Sequence, residues 1–146
     1  MRKNVTILEP PLPLVTAALT GITAAIVTML SWRSEKAKSL YLSQCDVALR
    51  YPRFSNPDLA KLDLEARTFD GSAEDFECYE WYVARLVYVL DECLRLCPVP
   101  QWYAVARTQL GNHLKYFASD YYRSQDYLPH YSLRMRTLIR QRQESA

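Results

Sequence analysis

The hydrophobic pattern of the chain changes once, at Arg33. Before it lies a run without charged side chains, from Pro10 to Trp32, whose helical part, Leu14–Trp32, contains 19 residues. At about 1.5 Å per residue this part is about 28 Å long, close to the hydrocarbon core of a bilayer at about 30 Å. The run therefore predicts one membrane-spanning helix, with Pro13 suited to its first position and Trp32 to the membrane interface.

An apolar run of this length can also form a buried core helix or a cleaved signal peptide. A core helix normally carries a polar stripe, but the polar side chains here are hydroxyls of threonine and serine, which bond readily to helix carbonyls. A signal peptide needs small residues at a cleavage site after its apolar region, whereas this run continues into Trp32-Arg33-Ser34-Glu35-Lys36. A retained span is therefore the preferred interpretation.

Downstream of Arg33 the apolar positions follow helical spacing. Three glycines and the lack of alternating apolar runs argue against a sheet protein. Besides one long helix, the pattern predicts helices at 33–50, at a short turn opened by Asn56 and Pro57, at 101–118, at 121–127 and after Ser132. The predicted fold class is all-α, one N-terminal transmembrane helix followed by a small helical bundle.

The sequence divides into four predicted regions. They are a tail at 1–13, the span at 14–32, a membrane-proximal helix and linker at 33–54 and the bundle at 55–146.

The clearest helix of the bundle is predicted from Ala73 to Cys97. Ser72 and Asp75 fit a capping box at its start, and Pro98 follows its end. Its apolar positions alternate three and four apart, which is typical of a helix-packing seam: Phe76, Tyr79, Val83, Leu86, Leu90, Cys93 and Cys97. We expect Leu86 and Leu90 to be buried, and Glu80 and Glu92 to face water.

The net charge of the chain is only +2, but the charges are unevenly distributed. Residues 54–100 carry 10 acidic and 4 basic side chains, whereas residues 101–146 carry 3 acidic and 7 basic ones. The simplest interpretation is that the two halves pack against each other. With a pI of about 8.3 and no dense basic patch, the chain is not expected to bind nucleic acid.

Positive charges and cysteines both bear on the orientation in the membrane. Arg2 and Lys3 precede the span, whereas four basic residues follow it: Arg33, Lys36, Lys38 and Arg50. Because positive charge favours the cytoplasmic side, the C-terminal domain is expected in the cytoplasm and the span in the cell (inner) membrane. The cysteines lie in apolar helical contexts typical of buried, reduced thiols, at positions Cys45, Cys78, Cys93 and Cys97.

The sequence contains no recognisable catalytic motif. It has no Gly-rich phosphate loop, no G-x-S-x-G and no cysteine beside a histidine. Cys93 and Cys97 are four residues apart, and with His113 or His130 they suggest a metal or redox module, but no C-x-x-C or H-x-x-x-H spacing is present. No catalytic residue, cofactor or metal site is therefore predicted.

Two surfaces are predicted to bind a partner. Ala17, Gly21 and Ala25 recur every four residues, so they form a stripe where a second membrane helix can approach closely. Segment 116–131 is rich in aromatic residues of the kind that interfaces enrich, and its predicted contact residues are Tyr121, Tyr122, Tyr127 and Tyr131. The alternative is that these rings fill the end of the bundle.

A basic tail completes the surface features, with Arg134, Arg136, Arg140 and Arg142. Three interpretations stay open: contact with anionic lipid, packing against the acidic helix, or solubility alone.

The layout resembles small bacterial single-pass membrane proteins with a compact helical domain of unknown function. The resemblance rests on four segments: Asn56-Pro57-Asp58-Leu59, Trp102, Tyr121-Tyr122 and the run from Ser132 to Ile139. It implies a layout and no activity. The predicted function is that of a non-catalytic, membrane-anchored accessory or scaffold subunit that binds other membrane proteins. The alternative is a membrane-tethered regulator or sensor whose helical domain binds a soluble ligand or signalling partner.

Overall fold

The computed structural model of the chain describes residues 12–144. The tail predicted at 1–13, including Arg2 and Lys3, lies outside the described residues except for its last two positions, which belong to the first helix. The α-helices are α1 (Leu12–Arg50), α2 (Pro52–Ser55), α3 (Ala73–Leu96), α4 (Pro100–Gly111), α5 (Leu114–Ala118), α6 (Asp120–Ser124) and α7 (Leu133–Glu144). A two-stranded antiparallel hairpin, β1 (Leu62–Asp63) and β2 (Thr68–Phe69), precedes α3. The all-α class predicted from the sequence is confirmed, with this small hairpin as an addition.

Helix α1 is continuous and has two chemically different halves. It is long and apolar enough to cross a membrane, and its apolar window is not buried against the rest of the chain. The threonine hydroxyls in this half bond to carbonyls one turn earlier, in agreement with the sequence-based expectation. Thr20 Oγ1 donates to the Thr16 carbonyl and Thr28 Oγ1 to the Ala24 carbonyl, both at 2.9 Å. The apolar half therefore exposes hydrocarbon, with the hydroxyls of Thr20, Thr23 and Thr28 already bonded.

The second half of α1 packs against α3, and the two helices run antiparallel. Residues that come later in α1 contact residues that come earlier in α3, which shows the antiparallel direction. The hydrogen-bonded pairs are Arg33–Arg95, Ala37–Cys93 and Gln44–Arg85, and Arg53 of α2 continues the series with Asp75. Ala37 is fully buried, and the Cys93 thiol donates to its carbonyl at 3.3 Å. The C-terminal end of α3 therefore lies beside the end of the apolar half of α1, and the N-terminal end of α3 lies farthest from it.

Helix α3 is the centre of the domain. Leu86 and Leu90 are each 1% exposed, so the predicted helical phase is confirmed. Ser72 Oγ accepts a hydrogen bond from the Asp75 amide at 3.1 Å. The Asp75 carboxylate, however, accepts two hydrogen bonds from the Arg53 guanidinium, at 2.9 and 2.5 Å. The reciprocal half of the predicted capping box is therefore replaced by an ion pair to α2.

Two of the smaller helices differ from the prediction. The helix expected over 101–118 is broken into α4 and α5, because the backbone of His113 leaves the helical region (φ −114°, ψ 23°) and its ring enters the core. The helix expected over 121–127 ends at Ser124, and a 3-10 turn follows at Leu128–His130. Between α2 and β1, Asp58 and not Asn56 caps the short turn, accepting from the Ala60 amide at 3.1 Å.

The hairpin closes the end of the core that lies farthest from the apolar half of α1. Phe69 is 2% exposed, and its ring lies 5.4 Å from that of Phe54 and 5.5 Å from that of Tyr79, measured between centroids. The chain returns to α3 through Asp70 and Gly71, both with positive φ, of 53° and 80°. Glycine adopts this backbone region without strain, which suits a sharp turn ahead of a capped helix.

The two oppositely charged halves do pack against each other, but through apolar contacts of α3 with α4 and α7. Among the described residues no ion pair joins residues 54–100 to residues 101–144; the pairs are Lys38–Glu35, Arg53–Asp75, Lys61–Asp70, Arg95–Glu92 and Arg123–Asp120. Polar contacts between the two halves instead join charged to neutral groups, as between Asp91, which is 5% exposed, and Ser132.

Two expectations for single residues need correction. Cys93 is buried as predicted, but Cys78 is exposed, and Cys45 and Cys97 are half-buried; all four thiols are free. Glu80 does not simply face water, because it is half-buried and accepts from the Tyr116 hydroxyl at 2.9 Å.

Candidate functional site

The aromatic segment predicted to bind a partner divides between core and surface. Tyr122 is 3% exposed, and its ring lies 5.1 Å from that of Phe117. Tyr121 is half-buried between the ring of Phe76, at 5.7 Å, and the guanidinium of Arg67, at 5.3 Å. Tyr122 therefore fills the bundle.

A surface groove runs along α3, and three of the predicted tyrosines line it. Its volume is about 440 Å³. The residues that line it, here called the α3 groove, are Glu77, Glu80, Trp81, Val83, Ala84, Val87, Tyr116, Tyr122, Tyr127 and Tyr131. Tyr121 is not among them. The structure thus joins part of the predicted tyrosine set to one face of the central helix.

The most exposed aromatic residues of this face were not predicted from the sequence. Trp81 is 71% exposed and Tyr88 is 61% exposed, seven residues apart on the outer side of α3. Neither residue belongs to the apolar seam of α3. A tryptophan on the polar side of an amphipathic helix is the feature of the sequence that could have indicated this contact surface. Exposed tryptophan and tyrosine are the residues that interface cores enrich. Their position marks this side of α3 as a candidate contact surface.

The α3 groove is acidic as well as aromatic. Glu77 is exposed and makes no hydrogen bond or ion pair with any described residue. No lysine, arginine or histidine of residues 15–144 lines the groove. Burial and the Glu80 carboxylate raise the pKa of the Tyr116 hydroxyl. The phenol therefore stays a neutral donor to the Glu80 carboxylate, which makes no ion pair with a described residue.

At the inner wall of the groove, the Tyr122 hydroxyl is buried without a hydrogen-bond partner in bonding geometry. Burial, together with the neighbouring Tyr131 hydroxyl, raises the pKa of Tyr122. The wall therefore offers neutral phenols, while the charge of the groove comes from its two glutamates.

A second, smaller groove lies on the other side of Trp81. Its volume is about 260 Å³, and it is lined by Val47, Tyr51, Phe54, Cys78, Trp81, Tyr82 and Arg85. The Trp81 side chain therefore forms a ridge between two depressions, a shape that suits insertion into a complementary surface.

The stripe of small residues lies apart from both grooves. Ala17, Gly21 and Ala25 are exposed on the apolar half of α1, and a Cβ added at Gly21 would meet nothing within 4 Å. The two predicted contact surfaces are thus separate features of the chain.

The cysteine and histidine positions do not form one centre. Among the described residues no group of three or more His, Cys, Asp or Glu side chains is placed to hold a metal ion. Burial raises the pKa of the Cys93 thiol to about 11, so the thiol stays protonated at neutral pH. His113 lies elsewhere in the core, with its Nδ1 3.1 Å from the Tyr79 hydroxyl. Cys93 and His113, both fully buried, therefore serve packing in this fold.

The basic tail forms α7, whose arginines are spread along the helix. Ser132, before its first turn, bonds through its amide to the Asp91 carboxylate at 2.9 Å, near the C-terminal end of α3. At the other end, Arg142 donates to the Arg107 carbonyl at 3.0 Å and Gln143 to the Phe117 carbonyl at 2.8 Å. Helix α7 therefore runs antiparallel to α3.

Comparison of the chain with protein-family models, with curated proteins and with solved structures gives no match. What the chain does is therefore inferred from its own residues.

Proposed function

We propose that this chain is a non-catalytic, single-pass protein of the bacterial inner membrane that acts as an accessory or scaffold subunit of a membrane protein complex. The observation that supports it best is helix α1. One continuous helix has an apolar half that no part of the described chain covers, and a second half that forms part of a folded domain. A partner-binding domain is thus held at a fixed height above the bilayer.

The surface of the domain supports a role in binding another protein. The α3 groove is bordered by exposed residues, Glu77, Trp81, Ala84 and Tyr127, so it opens outward and is not enclosed by the bundle. An open aromatic surface suits a protein partner better than a small soluble ligand, since small ligands favour concave sites that bury most of their surface.

The anchor also limits the proposed contact with anionic lipid. With the apolar half of α1 in the bilayer, Arg134 at the start of α7 lies nearest the membrane and Arg142 lies about 12 Å farther along the helix axis. Together with Arg33 and Arg95, Arg134 is therefore the residue of the tail placed to meet lipid headgroups. Of the remaining arginines, Arg140 is exposed and available for other contacts, whereas Arg142 is bonded to the Arg107 carbonyl.

Membrane fractionation tests the anchor. The full chain is expected to stay with membranes through high-salt and alkaline washes, whereas a chain lacking residues 1–32 is expected in the soluble fraction. A full chain released by the washes would contradict anchoring through α1.

Cys78 offers a test of orientation because its thiol is exposed while that of Cys93 is buried. With the domain in the cytoplasm, a membrane-impermeant maleimide should label intact cells only after permeabilisation, and Cys78→Ser should remove most of the signal. Labelling of Cys78 in intact cells would mean that the domain lies on the outer side.

Purification in mild detergent tests the role as a subunit. The chain is expected to bring down another membrane protein at fixed stoichiometry, and Trp81→Ala should reduce that yield. Val99→Ala is the control, because Val99 is also an exposed apolar residue, at 36%, but lines neither groove. Equal loss with both variants, or no loss with Trp81→Ala, would contradict a contact role for this face.

A further inference from the structure

The α3 groove has carboxylates without a cationic partner and aromatic rings beside them. Glu77 and Glu80 make no ion pair within the described chain, and Trp81 and Tyr127 flank them. Aromatic faces attract guanidinium and ammonium groups, and neighbouring carboxylates add to that attraction. The groove therefore suits a basic surface with some apolar area.

Such a surface exists on the same chain. The outward side of α7, here called the α7 face, consists of Leu133, Arg134, Thr137 and Arg140. Leu133 is 71% exposed, and neither Arg134 nor Arg140 makes an ion pair with a described residue. Part of this face, with Tyr103 and Arg107 of α4, borders a shallow cleft of about 300 Å³. The α7 face is thus basic, with an apolar residue at one end.

The groove and the α7 face lie at similar heights above the bilayer when α1 is the anchor. Asp91 contacts Ser132 at one end of α7. At the other end, α5 links the two helices, since Gln143 bonds to Phe117 and Tyr116 bonds to Glu80. Both helices rise about 1.5 Å per residue and run antiparallel, so Arg140, eight residues after Ser132, lies at the height of Val83, eight residues before Asp91. Val83 is about one helical turn from Glu80. An arginine side chain spans that offset.

We propose that the α3 groove of one copy receives the α7 face of a second copy, so that the chain assembles head to tail in the plane of the membrane. The inference rests on the proposed function for its membrane anchor and names the occupant of the groove. Arg140 of the second copy lies against Glu77 and Glu80, and Leu133 packs toward Tyr88. Because groove and face are different surfaces, the contact is heterologous, and successive copies extend the row or close it into a ring.

Charge reversal on the full chain in mild detergent tests the proposal, with native mass spectrometry to count copies per particle. Wild type is expected to form dimers and larger species whose share rises with concentration. Glu77→Arg and Arg140→Glu should each raise the dissociation constant about tenfold or more, because like charges then face each other. The double variant Glu77→Arg/Arg140→Glu should regain assembly, since the reversed charges again complement.

Two matched variants control for the change of charge alone. Glu74→Arg alters an exposed carboxylate of α3 and Arg123→Glu an exposed guanidinium of α6, and neither residue lines the groove or belongs to the α7 face. Both should keep the wild-type distribution of species.

A monomeric wild type, or single reversals without effect, would overturn the proposal, as would a double variant that stays monomeric. Self-association that only Gly21→Leu removes would assign it to the span instead. In any of these cases the proposed accessory function stands or falls separately, by membrane fractionation and by co-purification of a different membrane protein at fixed stoichiometry.

Discussion

His113 should make the domain sensitive to mild acid. Its side chain is fully buried among the rings of Tyr79, Tyr82 and Phe117, and its Nε2 has no hydrogen-bond partner. Burial lowers the pKa of His113 from 6.5 to about 4. The folded state therefore holds the neutral ring, whereas the unfolded chain takes up a proton as the pH falls through 6.5.

The difference in the pKa of His113 between the folded and unfolded states determines how much stability the domain loses in acid. Above about pH 7 both states are neutral at this residue, and its contribution to stability is constant. Between about pH 6.5 and 4 the unfolded state binds the extra proton, so the free energy of unfolding falls with decreasing pH. At about 1.4 kcal/mol per pKa unit, a shift from 6.5 to about 4 corresponds to a loss of about 3 kcal/mol. Domains of ordinary stability have about 5–15 kcal/mol in total, so this loss is easily measured.

The measurement compares wild type with His113→Gln, which keeps a polar side chain but does not titrate. Urea unfolding of both proteins in the same mild detergent, followed by circular dichroism at pH 8, 6.5, 5.5 and 4.5, gives the free energy of unfolding at each pH. Carboxylates titrate in both proteins, so the difference between the two curves isolates His113. We expect wild type to lose about 2–3 kcal/mol more than the variant over this range. Parallel curves would refute the account of a buried neutral imidazole.

Three further predictions concern the core, one loop and the span. Leu86→Ala should lower the free energy of unfolding by about 2–5 kcal/mol through lost burial and a cavity, whereas Glu92→Ala should change it by about 0.5 kcal/mol or less, as judged by urea unfolding. Asp91→Ala should cost about 1–3 kcal/mol because it leaves the Ser132 amide without its acceptor, and Asp91→Asn should recover part of the loss. Gly21→Leu should weaken co-purification with a partner helix while leaving the thermal midpoint of the domain unchanged; a lowered midpoint would show that Gly21 supports the fold itself.

Long, regular elements could be predicted from the sequence because many residues carry the same signal. The apolar half of α1 and the seam of α3 each extend over several turns, so one irregular position does not change the period. Leu86 and Leu90 were placed in the core by that period alone. The capping serines Ser72 and Ser132 could be predicted for a similar reason, since a cap depends on neighbouring residues only.

The features that were missed depend on tertiary contacts. Strands of two residues, as in the hairpin Leu62–Phe69, are too short to show alternation, and Phe69 is fixed by its ring contacts with α3. The break after Gly111 occurs because burial of the His113 ring outweighs continuation of the helix. The α3 groove joins residues of α3 to tyrosines about 40 residues later, and no local pattern encodes that pairing.

The continuous helix α1 relates the two contact surfaces to each other. At about 100° per residue, Ala17, Gly21 and Ala25 lie about 120–200° around the helix from Ala37, whose side packs on α3. The small-residue stripe therefore faces away from the bundle. The exposed side chains of Leu42 and Leu49, at 63% and 80%, fall on this same outer side of α1, beyond its apolar half. A partner helix packed on the stripe can thus continue along α1 to these leucines without reaching the α3 groove. The groove is left open to a different neighbour, as the proposed scaffold function requires.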